Sequence, residues 1–193
     1  MALALAPLIR ISSISLPLAE ITFILWYPII SVPLLVAAFL IKSLMGISFR
    51  EMGYSFSNFQ AQLIIGTIGI PLGVIHYQIL KPVYSDLNLV ANELWFTVLV
   101  LIICTGFLEE FIFRGILFRA SVEVVGNKAL LYVSCIYSVM HIAHGSLVNV
   151  IFVFLVAILF TKILIWQKNI IGISLAHGLM TVTLYVICPA LLY

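Results

Sequence analysis

Charged residues are scarce in this chain. Only 8% of its 193 residues are Asp, Glu, Lys or Arg, whereas 64% are hydrophobic and the mean hydropathy is +1.28. A mean hydropathy of this size excludes an ordinary soluble globular domain. The net charge of +2 leaves no basic patch or stripe in the sequence, which argues against nucleic acid as a partner.

Cysteine is also rare, and its spacing argues against two kinds of site. The three cysteines, Cys104, Cys135 and Cys188, stand in apolar surroundings without CxxC or Cys/His spacing. Neither a disulfide framework nor a zinc knuckle is therefore predicted, and we expect these side chains to serve in packing. The HExxH pattern of common zinc proteases is absent as well.

Long uncharged runs, in contrast, recur along the chain. A helix of roughly 20 apolar residues crosses a hydrocarbon core about 30 Å thick. The charges divide the chain into six predicted spans, at about 17–41, 61–80, 92–114, 129–144, 146–162 and 169–190. We therefore predict an all-α, polytopic transmembrane helical bundle, a single integral membrane domain over residues 1–193 in the cell membrane. The segment from Met1 to Leu18 has no clear small-residue cleavage site, and we interpret it as retained.

The positions of the basic residues predict an orientation for this bundle. The loops after the first, third and fifth predicted spans hold Lys42, Arg50, Arg119, Lys128, Lys162 and Lys168. The opposite side holds only Arg10 and Lys81. Because Lys and Arg favour cytoplasmic loops, both termini are predicted to lie outside the cytoplasm. The segment between the first two spans, Lys42 to Gln60, mixes charged and aromatic residues and is interpreted as an interfacial connection.

A few ionisable residues interrupt the predicted spans. A charge at the centre of a membrane helix costs about 2.5–3.5 kcal/mol, so such residues usually face a cavity or a partner. Glu109 lies in the third span, His141 in the fourth and His177 in the sixth. A helical rise of about 1.5 Å per residue places all three roughly 12 to 18 Å from the basic side. The three side chains can therefore share one layer of the membrane.

The third span carries two adjacent carboxylates with different predicted roles. Glu110 and Arg114 are four residues apart and share a helical face, where an ion pair reduces the cost of burying either charge. Glu109 then points about 100° away around the helix. A carboxyl group in a low-dielectric layer suits a reaction step that both accepts and donates a proton.

These residues together suggest hydrolysis of an amide by an activated water molecule. Glu109 and His141 would hold and polarise the water, which would attack a carbonyl carbon. His177, with Thr181 one turn along the same helical face, would donate hydrogen bonds to the developing oxyanion. The predicted reaction proceeds without a covalent intermediate.

At these residues the chain resembles the CPBP family of CAAX-protease and bacteriocin-processing membrane proteins, also described as glutamic-type intramembrane endopeptidases. The family motif EExxxR is present from Glu109 to Arg114, and FxxxH is present from Tyr137 to His141 with tyrosine in place of phenylalanine. The motif HxxxN or HxxxD corresponds to His177 to Thr181, with threonine at its last position. Including Phe49-Arg50-Glu51-Met52-Gly53-Tyr54, which is also family-like, the resemblance covers roughly residues 45 to 185.

The resemblance implies an intramembrane endopeptidase whose substrate is a membrane-anchored, lipidated or sorting-signal-bearing protein. It implies that Glu109 and His141 activate water, that His177 forms the oxyanion site, and that Glu110 and Arg114 support the geometry. It implies no cofactor. Threonine departs from the family pattern at position 181, because its single hydroxyl lacks the reach of an asparagine amide.

Three other interpretations fit the same residues. One carboxylate and two imidazoles, here Glu109, His141 and His177, can form an open catalytic zinc site. Thr181 instead favours a non-catalytic membrane immunity or binding protein on the same scaffold. A small transporter could use the buried glutamate and histidines to relay protons. His76, in the second span, is interpreted as a hydrogen bond between packed helices.

Overall fold

The structure, a computed structural model, describes residues 1–9, 23–81 and 94–192. Six main helices form in the described part: α1 (Phe23–Leu44), α2 (Phe59–Leu80), α3 (94–125), α4 (Ala129–Val139), α5 (Leu147–Gln167) and α6 (Ile171–Leu192). No strand occurs among these residues. Arg10 and the predicted starts of the first and third spans, residues 17 and 92, lie outside the described residues.

The prediction of a polytopic helical bundle is confirmed, with one difference in the number of spans. In the described ranges, five runs are long and apolar enough to cross a membrane. The third of them, Leu94–Ile142, has 49 residues and covers the described part of the third predicted span together with most of the fourth. Gly126, at φ 57°, separates α3 from α4 in a conformation that a residue with a Cβ adopts rarely. The helix α4 has 11 residues, fewer than the roughly 20 of a full crossing.

Helix α6 lies at the centre of the bundle. In its most apolar window 72% of the residues are buried inside the protein, compared with 17% in α1. It packs against α2 along one side and against the first half of α3 along another. The last of the three motifs, from His177 to Thr181, is therefore enclosed by other helices and turned away from lipid.

Glycines allow these helices to approach closely. A Cβ added to Gly69 of α2 would overlap the backbone oxygen of Ala176 on α6. A Cβ added to Gly106 of α3 would lie 2.5 Å from the backbone oxygen of Ser174 and 2.7 Å from the nitrogen of Gly178. Membrane helices lack a hydrophobic driving force for association, so small residues at their contacts stabilise them by close packing.

The connection between α1 and α2 folds back onto α3. The aromatic rings of Phe49 and Tyr54 lie 6.3 Å and 6.2 Å from the ring of Phe111 on α3, measured between centroids. Met52 is 2% exposed, and its methyl carbon is the nearest atom to the place that a Cβ on Gly115 would occupy. The family-like segment before α2 is thus packed onto the half of α3 that carries the EExxxR motif.

Candidate active site

The two adjacent glutamates of α3 lie between two π-helical segments, Ile102–Phe107 and Phe111–Leu117. A π-helix closes its hydrogen bonds over five residues instead of four, which rotates the following side chains around the helix axis, and such segments are frequent at functional sites. A third π segment, Thr183–Ile187, directly follows the last motif on α6. π-helical segments therefore lie on both sides of the two glutamates in α3 and directly after the His177 to Thr181 motif in α6.

Glu110 accepts two charge-assisted contacts at the same carboxylate oxygen. Its Oε1 lies 3.1 Å from Nη1 of Arg114 and 2.9 Å from Nδ1 of His177. Glu110 is fully buried and the other two residues are 2% and 5% exposed. The predicted ion pair between Glu110 and Arg114 is confirmed. The contact with His177 on α6 was not predicted, and it makes this carboxylate the link between α3 and α6.

Arg114 connects three helices. Besides Glu110 on its own helix, it reaches α5, where its Nη2 donates to the backbone oxygen of Ala157 over 3.3 Å. The centre of its guanidinium group lies 4.7 Å from the centroid of the Tyr137 ring on α4, a cation–π distance. A buried cation with these contacts holds the surrounding side chains in one arrangement.

The hydroxyl of Tyr137 lies between the other two candidate residues. It donates to Oε2 of Glu109 over 3.0 Å and lies 3.3 Å from Nε2 of His177. The FxxxH motif assigns Tyr137 an aromatic ring and no role for its hydroxyl. The difference between tyrosine and phenylalanine is one hydroxyl group. A buried tyrosine usually has a hydrogen-bond partner for that hydroxyl, so the substitution itself could have predicted a polar contact.

The imidazole of His177 has a defined orientation. Its Nδ1 faces the carboxylate of Glu110 and therefore carries a proton, because a carboxylate only accepts hydrogen bonds. Its Nε2 faces the hydroxyl of Tyr137. This arrangement, in which a carboxylate holds one ring nitrogen and leaves the other for chemistry, is common where a histidine must act in a fixed direction.

His141 lies in the 3-10 turn Met140–His144 that follows α4. Its Nδ1 is 3.0 Å from the backbone oxygen of Tyr137, one turn earlier, and its ring centroid is 4.9 Å from that of the same tyrosine. The side chain is half-buried. The bond to the backbone directs Nδ1 toward the helix, so Nε2 is the nitrogen on the side away from that bond.

Thr181 makes contacts that differ from the predicted ones. Its hydroxyl donates to the backbone oxygen of His177 over 3.1 Å and lies 3.2 Å from the hydroxyl of Thr105 on α3, whose own proton is donated to the backbone oxygen of Leu101 over 2.5 Å. A hydroxyl has one proton, and here that proton is used within the helix. Thr181 is thus close to His177 as predicted, but its donor is engaged elsewhere.

A cavity of about 380 Å³ brings these groups together. The predicted residues among its lining are Glu109, His141, His177 and Thr181, joined by Thr105, Tyr137 and mostly apolar side chains. His76 of α2 also lines it, with its Nε2 2.8 Å from Oδ1 of Asn149 on α5, so this histidine does form the expected bond between helices. Glu110 and Arg114 do not line the cavity, and they contact its lining residues from behind.

The donor groups around the cavity also bear on the zinc alternative. Within residues 1–9, 23–81 and 94–192, no three His, Cys, Asp or Glu side chains are grouped so as to hold a metal ion. One nitrogen of His177 is directed at Glu110 and one nitrogen of His141 at a backbone oxygen. Zinc-binding histidines hold their second nitrogen in the same way, so the zinc-dependent alternative stays a prediction to be tested.

One protein-family model matches the central part of the chain. Residues 91–183 match the model of the type II CAAX prenyl endopeptidases described as Rce1-like. This segment contains all six site residues predicted from the sequence and agrees with the resemblance to the CPBP family, which it confirms. No curated protein and no solved structure matches the chain. Together with the five apolar runs, the match describes an integral membrane protein related to proteases.

Proposed function

We propose that this protein, whose residues 91–183 match the Rce1-like type II CAAX prenyl endopeptidases, is an intramembrane endopeptidase of the cell membrane that uses water activated by Glu109. A single observation carries the proposal. The carboxylate of Glu109 lines a largely apolar cavity and is joined through the hydroxyl of Tyr137 to His177, whose other nitrogen is held by Glu110.

The first chemical step is attack by water. A water molecule in the cavity would lie between Glu109 and the Nε2 side of His141. Glu109 takes one proton from the water while the water oxygen bonds to the carbonyl carbon of the substrate. The product of this step is a tetrahedral intermediate in which the former carbonyl oxygen is negative. The carbon–nitrogen bond then breaks, and the proton held by Glu109 passes to the leaving nitrogen. The products are a carboxylic acid and an amine, without a covalent enzyme intermediate.

The negative oxygen of that intermediate requires donors, and Tyr137 is our candidate beside His177. Thr181 is engaged with a backbone oxygen, so its proton is directed away from the cavity. When Glu109 takes up the proton of the water, it becomes a weaker acceptor for the Tyr137 hydroxyl. The phenolic proton can then turn to the developing oxyanion, next to Nε2 of His177. Tyr137 would thus supply the donor that Thr181 does not.

The cavity also limits the class of substrate. Its volume of about 380 Å³ accommodates a short stretch of extended peptide but no folded domain. Its wall is mostly apolar, which suits a peptide held in the membrane by a lipid or by its own hydrophobic residues. Prenylated CAAX-type tails, named in the description of the matched family, are the first candidates, followed by bacteriocin-type leaders and membrane-embedded sorting signals.

Cleavage by purified protein tests the proposal. We expect the wild-type protein in lipid nanodiscs to cleave members of a prenylated CAAX peptide library, as detected by mass spectrometry. Glu109→Gln and His141→Ala should each lower kcat by about 100-fold or more, as expected for loss of a general base or its partner. Glu123→Gln, which removes an exposed carboxylate near the end of α3 and outside the cavity, is the matched control. Full cleavage by Glu109→Gln would exclude this site.

We propose that the reaction uses no metal. Activity should then persist after treatment with 1,10-phenanthroline, and the purified protein should contain no stoichiometric zinc by elemental analysis. Loss of cleavage with the chelator and recovery with zinc would instead support the zinc-dependent alternative.

A non-catalytic binding or immunity protein is the second candidate. The observation that favours it is the engagement of Thr181 with its own helix. This candidate predicts that a membrane peptide binds in the cavity, that no peptide is cleaved, and that binding survives in Glu109→Gln. The cleavage experiment and a binding measurement on the same variants separate the two.

A further inference from the structure

A second cavity, of about 650 Å³, lies between the α1–α2 connection, the second half of α3 and the end of α5. Three exposed basic side chains line it: Arg50 of the α1–α2 connection, Arg119 of α3 and Lys168 at the end of α5. Within the described part of the chain, none of the three forms an ion pair shorter than 4 Å. The sequence predicts all three in loops on the same side of the membrane, and the structure places them around one concavity.

Two hydrogen bonds fix the relative position of two walls of this cavity. The backbone nitrogen of Ile170 donates to the backbone oxygen of Gly53 over 3.0 Å, and the side-chain Nδ2 of Asn169 donates to the backbone oxygen of Ser55 over 2.6 Å. These bonds attach the turn after α5 to the α1–α2 connection. Arg50 and Lys168 therefore project from segments that are held together, and they are not the ends of independent loops.

A buried donor forms part of the cavity wall. Arg114 is 2% exposed, and its Nη1 and Nη2 bond to Glu110 and to the backbone of Ala157. Its Nε is buried without a hydrogen-bond partner among the described residues, although Arg114 lines the cavity. Buried donors in folded proteins are nearly always paired, so an unpaired one next to a cavity indicates a missing acceptor.

The remaining lining residues are largely apolar. Val122 of α3 and Ile165 of α5 are 39% and 51% exposed, and both line the cavity. The cavity combines basic side chains with exposed apolar ones. This combination suits a lipid with an anionic head group and a hydrocarbon chain better than it suits a free ion. The one carboxylate in the lining is Glu51, whose Oε2 is turned to the backbone nitrogen and hydroxyl of Ser48 at 2.7 Å and 2.6 Å.

We propose that this cavity binds the phosphate group of an anionic membrane lipid. The phosphate would lie among Arg50, Arg119 and Lys168, because guanidinium groups donate two parallel hydrogen bonds to phosphate oxygens and an ammonium group adds a compact charge. The acyl chains would lie along Val122 and Ile165. Arg114 belongs to the wall of this cavity and also contacts Glu110 and Tyr137 of the candidate active site, but the lipid proposal does not depend on the peptidase reaction.

The chain offers a charge-matched control for this proposal. Lys128 and Lys162 are predicted on the same side and are exposed, but they do not line the cavity. The double variant Arg119→Gln/Lys168→Gln and the double variant Lys128→Gln/Lys162→Gln remove the same charge. A general attraction between a basic surface and an anionic membrane should weaken equally in both, whereas a bound lipid should be lost only in the first.

The experiment measures lipid retained by the full-length protein. Wild-type protein and both double variants are placed in phosphatidylcholine nanodiscs with or without phosphatidylglycerol, released in the gas phase, and examined by native mass spectrometry. We expect the cavity variant to lose phosphatidylglycerol affinity about tenfold relative to the control variant, as loss of charge-assisted bonds implies. Equal loss in the two variants would overturn the proposal and leave a non-specific basic surface.

Two further measurements complete the test. Arg50→Gln alone, in the exposed connection, should also weaken retention, and it provides a second variant if the double variant fails to fold by circular dichroism. Inorganic phosphate is added as a competitor to distinguish the source of the anion. If phosphate displaces phosphatidylglycerol and binds as tightly, the site recognises a free ion and the lipid proposal is wrong.

Discussion

The hydroxyl of Tyr137 and the carboxylate of Glu109 form a hydrogen bond of 3.0 Å that joins α4 to α3 in the lining of the candidate active-site cavity. The same hydroxyl lies 3.3 Å from Nε2 of His177. One oxygen atom therefore contacts both the proposed base and the proposed oxyanion histidine, and a single-atom change tests what it does.

Tyr137→Phe removes that oxygen and keeps the ring that packs against Phe113 and His141. We expect kcat to fall about 100-fold with KM changed less than about threefold, because the lost hydrogen bond acts in the transition state. Kinetics on a cleaved prenylated peptide check this. Tyr132→Phe, an exposed tyrosine of the same helix, should leave both constants unchanged. If the wild-type protein cleaves and Tyr137→Phe cleaves equally well, the hydroxyl has no catalytic role.

Glu110→Gln tests the carboxylate behind the cavity. The amide keeps the size of the side chain but leaves the buried cation of Arg114 without its ionic partner. We expect the free energy of unfolding in detergent to fall by about 3–5 kcal/mol, as for other broken buried ion pairs. Denaturant titration followed by circular dichroism measures the change. Glu123→Gln, at an exposed position near the end of α3, should stay within about 0.5 kcal/mol of wild type.

Two glycines of α2 test the close packing on α6. A Cβ on Gly69 meets backbone atoms of Ala176, which cannot move without shifting the helix, whereas a Cβ on Gly66 meets the mobile side-chain end of Leu175 at 2.5 Å. Gly69→Ala should destabilise the protein by about 3 kcal/mol, and Gly66→Ala by about 1 kcal/mol or less. Thermal unfolding in the same detergent compares the two variants. A loss of no more than about 1 kcal/mol in Gly69→Ala would show that the α2–α6 contact tolerates a methyl group.

The connection before α2 has a titratable group outside the spans. Hydrogen bonds from the hydroxyl and backbone nitrogen of Ser48 lower the pKa of the exposed Glu51 below its usual value of 4.5. A carboxylate with a lowered pKa stabilises the fold above the pKa of the unfolded chain, and this contribution is lost as the pH falls through the folded value.

Ser48→Ala should therefore raise the pKa of Glu51 toward its usual value without restoring it fully, since the backbone donor remains. Titration of the labelled carboxyl carbon by NMR measures the change. Ser57→Ala is the control, because Ser57 bonds to the hydroxyl of Ser55 and to no carboxylate. An unchanged titration of Glu51 in Ser48→Ala would contradict the assigned cause.

Much of the candidate site was predictable because its residues are ionisable and the residues around them in the sequence are apolar. Glu109, His141 and His177 stand in runs that are otherwise apolar, and the cost of burying them implies a shared cavity. The structure does place all three on one cavity. The pair of Glu110 and Arg114 followed from helical periodicity alone, since residues four apart share a face.

The contacts of Tyr137, Thr105 and Thr181 were not predictable in this way. Each depends on which neighbouring helix lies within about 3 Å, the length of a hydrogen bond, and sequence spacing carries no such distance. In the family motifs, tyrosine stands at position 137 in place of phenylalanine, and threonine stands at position 181 in place of the longer asparagine. In the structure the tyrosine hydroxyl faces the cavity residues and the threonine hydroxyl bonds within its own helix.

The amino-acid sequence by itself determined that this protein lies in a membrane, that it is helical, and which few ionisable groups lie within its helices. Hydropathy and helical periodicity are properties of consecutive residues, so they need no knowledge of the fold. Only the tertiary structure decided that Glu110 orients His177, that Tyr137 joins it to Glu109, and that basic residues from three segments surround a second cavity. Those relations arise from the packing of distant segments, where a shift of one ångström makes or breaks a hydrogen bond.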